Sequence, residues 1–218
     1  MNQPPPSDRA TVKRLPKRAA YDLATIHAIL DEGLVCHVSF TIEGRPNVVP
    51  TIYVRIGENL YLHGSPASRM LQVVQRGEDV CIAVTIVDGL VLARSAFHHS
   101  MNYRSVVLFG TGSEVREPER KIEILRALSE HLIPGRWQDV RAPSAGELRQ
   151  TLVVSIPIQE ASAKIRTGPP LDEEPDYELP AWAGVLPLHL AAAMPIADPR
   201  LKPGIEPPVY AIDYRGPK

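Results

Sequence analysis

Between Leu60 and Gln75 the chain reads L-Y-L-H-G-S-P-A-S-R-M-L-Q-V-V-Q, which sets serine hydroxyls and a guanidinium around a sharp turn. Leu60 and Leu62 alternate with Tyr61 and His63, the pattern of a half-buried strand. Gly64 and Pro66 break that strand, and Ser68 is placed to cap a helix carrying Met70, Leu71, Val73 and Val74. Unpaired N–H groups at the helix start, with Ser65, Ser68 and Arg69, converge on a point that suits an anion, above all a phosphate ester. An ordinary cap beside a solvated arginine uses the same residues, so this segment alone leaves both readings open.

A second cluster follows in L-V-L-A-R-S-A-F-H-H-S-M-N-Y-R-S-V-V-L-F-G, from Leu90 to Gly110. Arg94, Ser95, His98, His99, Ser100, Asn102, Tyr103, Arg104 and Ser105 crowd between two apolar strands. The adjacent histidines invite a metal reading, but no carboxylate or cysteine stands at ligand spacing, so no metal site is expected. Two arginines among hydroxyls suit a phosphate and a polyol chain better.

The elements that must position these residues are mostly strands. Asp22 can cap a helix presenting Leu23, Ile26, Ile29 and Leu30, stopped at Gly33. Leu34, Cys36, Val38 and Phe40 alternate with polar residues, and Glu43-Gly44 turns this strand into Arg45–Ile56. Pro50 in the middle of the latter calls for an edge or a bulge. Further strands are read at Asp79–Val87, turned by Asp88-Gly89 into Leu90–Arg94, and at Arg104–Val115. A helix after Pro118 with a stripe of Ile122, Leu125, Leu128 and Leu132 precedes one last long strand, Thr151–Ile165. Hairpins without a βαβ rhythm predict a mainly β fold, a six-stranded antiparallel split β-barrel with short helices, over residues 17–167. Residues 1–16 read as a disordered or draped arm, and the Pro-rich residues 168–218 as a tail wrapping the barrel or a partner, with Trp182 as its anchor.

Lys and Arg number 24 against 25 Asp and Glu, which gives no electrostatic case for nucleic acid or an anionic membrane. No apolar run is long enough to span a bilayer. The N-terminus has no signal-peptide core, and Cys36 and Cys81 sit in strand patterns as buried thiols, so a cytoplasmic protein is expected.

Three segments, R-P-N-V-V-P-T-I-Y, L-Y-L-H-G-S-P-A-S-R and H-S-M-N-Y-R-S-V-V-L-F-G, resemble in order and spacing the pyridoxamine 5'-phosphate oxidase-like flavin-binding split barrels. Over residues 15–167, and in the tail motif W-A-G-V-L-P-L, the likeness is to the branch that includes the nitroimidazole-resistance proteins. The resemblance implies a homodimer holding FMN between its subunits. It implies that Ser68 and Arg69 bind the FMN phosphate beside His63, Gly64 and Ser65. Main-chain contacts to the isoalloxazine then come from Val49, Pro50 and Thr51, and Arg104 and Ser105 reach the phosphate or ribityl chain. Met70 stands where the oxidase has Lys, Ser105 where it has Gln, and the oxidase's C-terminal Arg-x-His is missing. Turnover of pyridoxamine phosphate is therefore not expected.

A flavin also suits the residues read by themselves, since such a site must anchor a phosphate, bond a polyol and offer donors to the ring. Arg94 is the candidate to face the ring's N1 and O2, or else a salt bridge at the barrel rim; Ser95, His99 and Tyr103 join it in the cofactor set. His63 is the candidate proton relay, or a histidine bonding its turn, while His27 and His37 read as structural. The expected function is an FMN-dependent oxidoreductase, with FAD as the other flavin, acting on an unidentified small molecule. Two alternatives stand beside it: a flavin carrier or redox sensor without turnover, and a haem-binding barrel using His63, His98 or His99.

Overall fold

The computed structural model describes residues 3–216. The N-terminal arm lies against its own barrel. Ala10 is buried, Arg9 pairs with Asp79 and Glu160, and its guanidinium stands 5.0 Å from the ring centroid of Phe109. Strand β1 (Ala19–Ala20) leads into helix α1 (Leu23–Glu32), where the Asp22 side chain accepts the Thr25 N–H at 2.8 Å. Ile26, Ile29 and Leu30 are buried, but Leu23 is exposed, so the apolar stripe starts one turn later than the sequence suggested. The helix ends at Gly33 with an ordinary φ of −76°. Glycine is required there for closeness: a Cβ would stand 2.5 Å from Val84 and 2.6 Å from the Tyr53 hydroxyl.

Strands β2 (Val35–Ile42), β3 (Arg45–Ile52), β4 (Val54–Ile56) and β5 (Asn59–Gly64) follow, then helix α2 (Arg69–Gln75). Next comes β6 (Asp79–Leu92), unbroken over fourteen residues. Asp88-Gly89 is a bulge in this strand and not a turn, because the partner register shifts between Val87 and Gly89 while pairing continues. The hairpin closes instead at residues 93–99, before β7 (Ser100–Thr111). Strand β8 (Ser113–Glu114) leads to α3 (Pro118–Leu132), which buries Lys121, Ile124 and Leu128, while Ile122 and Leu125 are only half-buried. After α4 (Ala145–Arg149), the last long strand is in fact a hairpin, β9 (Leu152–Pro157) and β10 (Glu160–Arg166). The tail adds β11 (Gly184–Pro187) and α5 (Val209–Ile212).

The strands pair antiparallel in two sheets. One has the order β1-β10-β7-β6-β2-β3, with β11 also on β6; the other runs β4-β5-β9-β8. Cys36, Val38, Ile82, Val84, Val106 and Leu108 from the first meet Leu60, Leu62, Val154 and Ile156 from the second in one core, with α1 and α2 packed into it. Helix α3 covers the outer face of the second sheet through Ile124 and Leu128 on Val54, Tyr61 and Val153. This is a mainly β, split-barrel arrangement. Cys36 and Cys81 are free thiols, and burial pushes Cys36 up to about 12. Among the described residues no helix is long and apolar enough to cross a membrane.

Candidate functional site

The first cluster sits where β5 runs out beside α2. His63 and Gly64 still pair with Val153 and Leu152 of β9. Beyond them the chain turns tightly, with the Ser68 N–H on the Ser65 carbonyl at 2.9 Å and the Ala67 N–H on the Ser65 hydroxyl at 3.2 Å. The Ser68 hydroxyl accepts the Leu71 N–H at 3.4 Å, so it caps α2 and keeps its own proton to donate. Gly64 packs closely on α2, where a Cβ would come within 3.1 Å of the end of the Leu71 side chain. Met70, Leu71, Val73 and Val74 lock the helix onto the core, which fixes where Arg69 leaves it.

Two features mark this corner. Arg69 is exposed, and among the described residues no carboxylate pairs with it. The Nδ1 of His63 is buried with no hydrogen-bond partner, and desolvation lowers the pKa of the ring, favouring the neutral imidazole. The corner thus holds a guanidinium without an acid and, six residues earlier in the chain, a buried imidazole nitrogen whose hydrogen-bonding capacity is unused.

The second cluster is differently occupied. The carboxylate of Asp172, in the tail, accepts the Arg94 and Ser95 N–H groups at 3.0 and 3.3 Å and the Arg94 guanidinium at 3.1 Å. That guanidinium also stands 4.8 Å from the ring centroid of Tyr177. Of the two readings of Arg94, the salt bridge at the barrel rim is the one seen. Ser95 caps the turn Ala96–His98 through the Phe97 N–H, and the His99 Nδ1 accepts the Ala93 N–H at 3.0 Å. His98 lies 3.7 Å from Glu173. Arg104 is held by Glu32 and by Asp88, the latter at 2.6 Å, and these bonds raise its pKa. Tyr103 is half-buried on β7, and the Ser105 hydroxyl donates to the Lys164 carbonyl at 3.3 Å.

Val49, Pro50 and Thr51 lie on β3, the end strand of its sheet, so the expected edge position of Pro50 is what the fold shows. Tyr53 is wholly buried and donates to the Leu30 carbonyl at 2.6 Å, so it belongs to the core. The Arg94 loop and the C-terminal end of α2 lie at opposite ends of the β6–β7 ladder, while Arg104 and Ser105 pair with Ile86 and Thr85 in its middle. Asp79, near the end of α2, pairs with Thr111 at one end of the β6–β7 ladder, and Val91 pairs with Ser100 at the other, where the Arg94 loop begins. Those ends are separated by about 40 Å of strand, at roughly 3.3 Å per residue.

One residue, Arg166, stands outside every motif read in the sequence. Arg166 is buried, bonds the Asn102 side chain and donates to the carbonyls of Gly168 and Pro169 at 3.2 and 3.1 Å; burial lowers its pKa. It pins the point where barrel becomes tail. His37, expected to be structural, is exposed on β2 and lines a cleft of about 590 Å³ with Thr85, Arg104 and, from the tail, His189. Its alternation with buried Cys36 and Val38 carried that signal. Trp182, expected to anchor the tail on the barrel or a partner, is 71% exposed on the single chain.

Residues 22–165 match the family model described as pyridoxamine 5'-phosphate oxidase. The chain belongs to that family. It is similar to the flavocytochrome Anf3 from Azotobacter vinelandii, with 43% identity and a TM-score of 0.90 over 97% of this chain and 98% of that one. It is also similar to the FAD and heme binding protein from Mycobacterium smegmatis, with 32% identity and a TM-score of 0.86 over 92% and 98%. A putative 5-nitroimidazole antibiotic resistance protein from Bacteroides thetaiotaomicron VPI-5482 has 26% identity and a TM-score of 0.57 over 67% and 86%. No curated protein sequence matches the chain.

Proposed function

We propose that this chain is a flavin- and haem-binding redox protein that works as a homodimer and passes electrons to a small-molecule acceptor. The observation that carries it is the corner at Arg69, a guanidinium without an acid six residues after the orphaned Nδ1 of His63. Support comes from the two relatives that resemble nearly the whole chain, one named a flavocytochrome and the other an FAD and heme binding protein. The second name also favours FAD over FMN.

In this reading Arg69, Ser68 and Ser65 bind the phosphate next to the ribityl chain through charge-assisted and hydroxyl bonds. The edge strand β3 offers main-chain groups at Val49, Pro50 and Thr51 to the ring. His63, kept neutral by burial, holds or moves a proton at its Nδ1. Bound flavin and haem supply hydride and single-electron chemistry, while the protein supplies position, local charge and exclusion of water. A second copy of the chain completes the site, because the Arg94 loop lies at the far end of the ladder from α2. Its landing surface includes Val48, 60% exposed on β3, and Phe97, 89% exposed on the loop.

The test is the visible spectrum of the purified protein, with mass spectrometry of whatever cofactors it releases and its mass in solution. Flavin and Soret bands, released FAD and a dimeric mass are expected. Colourless protein that stays empty when incubated with FAD, FMN and hemin overturns the proposal.

A further inference from the structure

The tail does more than hang from the barrel. Strand β6 carries β7 along one side, and on the other side β2 pairs with residues 81–83 only. Strand β11 takes the place on β6 that β2 leaves free, pairing Gly184–Pro187 with Gly89–Leu92. Gly89 permits this approach, because a Cβ there would stand 2.9 Å from the Leu186 carbonyl oxygen. The chain then runs on over the outer face of the sheet and roofs two contiguous hollows of about 590 and 730 Å³, both walled by Leu34, Val35, Ala192 and Tyr214. One hollow carries His37, Asp88, Arg104, His189 and Arg215 among apolar residues such as Ile86 and Leu190. The other is apolar, with Ile52, Leu132, Ile133 and Pro195. Cavities of this size hold cofactors, and a groove charged at one end and greasy at the other suits a flat macrocycle with carboxylates along one edge.

Of the seven histidines in the chain, five are placed elsewhere. His99 uses Nδ1 to accept the Ala93 N–H, which leaves the proton on Nε2 and no free lone pair for a metal. His131 bonds the Gly33 carbonyl, His98 faces Glu173, His27 belongs to α1, and His63 belongs to the Arg69 corner. His37 and His189 line the groove, and neither has a hydrogen-bond or ion-pair partner among the described residues. On β2 His37 stands between Pro50 and Ala83, two small neighbours that leave the sheet face flat around it.

The tail decides between them. The family model ends at residue 165, and the nitroimidazole-resistance relative matches only 67% of the chain. The relatives that match 97% and 92% are the two whose names include haem chemistry. His189 is the single histidine from residue 168 onward.

We propose that His189 is the residue that would ligate the iron of a haem held in the groove between the tail and the sheet, where His37 also lines the wall. This rests on the haem reading above. Arg215, which has no acid partner among the described residues, meets a propionate; Arg104 is already committed to Glu32 and Asp88. The tail is then the haem-binding part of the molecule, and haem binding pins it in place.

The experiment titrates full-length protein with hemin and reads the Soret position, the ferrous–CO spectrum, haem per chain and, separately, flavin per chain. His189→Ala is expected to weaken hemin binding by at least roughly tenfold, the size seen for losing even a supporting group of a metal site. Flavin content stays unchanged, and added imidazole restores the spectrum. His189→Met moves the Soret band, while His37→Ala keeps the ligand supplied by the tail. A haem-loaded wild type whose spectrum and stoichiometry survive His189→Ala overturns the assignment alone, as does loss of haem in His37→Ala only. A wild type that takes up flavin but no hemin overturns the haem reading itself.

Discussion

The corner at Arg69 and the loop at Arg94–Ser105 offer the same chemistry on paper, arginines among hydroxyls, and differ in what already neutralises them. Arg94 is paired with Asp172, and Arg104 with Glu32 and Asp88. Arg69 has no such partner among the described residues, whereas a buried nitrogen without a hydrogen-bond partner occurs in both places, at His63 Nδ1 and at Arg94 Nε. Donor residues alone therefore do not identify an anion site. A carboxylate partner occupies part of the donor set and offsets the charge, as Asp172 does at Arg94 Nη1, whereas Arg69 keeps its whole guanidinium for an anion.

This difference can be broken by exchanging the arginines. Arg69→Ala is expected to weaken flavin binding by roughly ten- to a hundredfold, the loss of charge-assisted bonds, while Arg94→Ala changes it far less; titration of apoprotein with FAD gives both numbers. Equal losses would mean that the second cluster holds the cofactor as firmly as the first. Asp172→Ala tests the structural side of the contrast. It removes the acceptor shared by Arg94 and Ser95, so limited proteolysis should cut severalfold faster after residue 168, with flavin affinity nearly unchanged.

The third prediction concerns pH. Burial lowers the proton affinity of His63, so as pH falls the unfolded chain takes a proton near the ordinary 6.5 before the folded chain does. Stability is full above that pH and is lost as pH drops from there through the folded value. His63→Gln should flatten that slope in urea melts, leaving the part due to His27, which burial and then Arg55 shift the same way. The smallest effect is expected at the second cluster's rim: Glu32→Gln should cost no more than about 1 kcal/mol in the same melts, as for other part-exposed ion pairs. A larger loss would make the Arg104 network a structural keystone.

Much of this fold was legible because strand alternation maps directly onto burial. Leu152, Val154, Ile156 and Ile158 are all buried as their spacing required, and Pro50 sits on an edge strand for want of an N–H. Asp88-Gly89 misled because a bulge and a hairpin turn use the same residues; only the distant strand β11, arriving at Gly89, decides between them. Helix α3 misled by two positions because Lys121 is buried, its ammonium bonding the Leu148 and Thr151 carbonyls. In the candidate site, the donors were visible and their acids were not. Asp172 lies 78 residues from Arg94 and Glu32 lies 72 from Arg104, separations over which spacing carries no information. His189 was hidden for the same reason, in a tail without periodicity.

The central claim, that the Arg69 corner grips the phosphate of a flavin, is tested most directly by comparing FAD with riboflavin on wild-type and Arg69→Ala apoprotein. Wild type should prefer FAD strongly, and the substitution should erase most of that preference by weakening FAD while leaving riboflavin almost untouched. A preference for FAD that persists undiminished without the Arg69 guanidinium would contradict it.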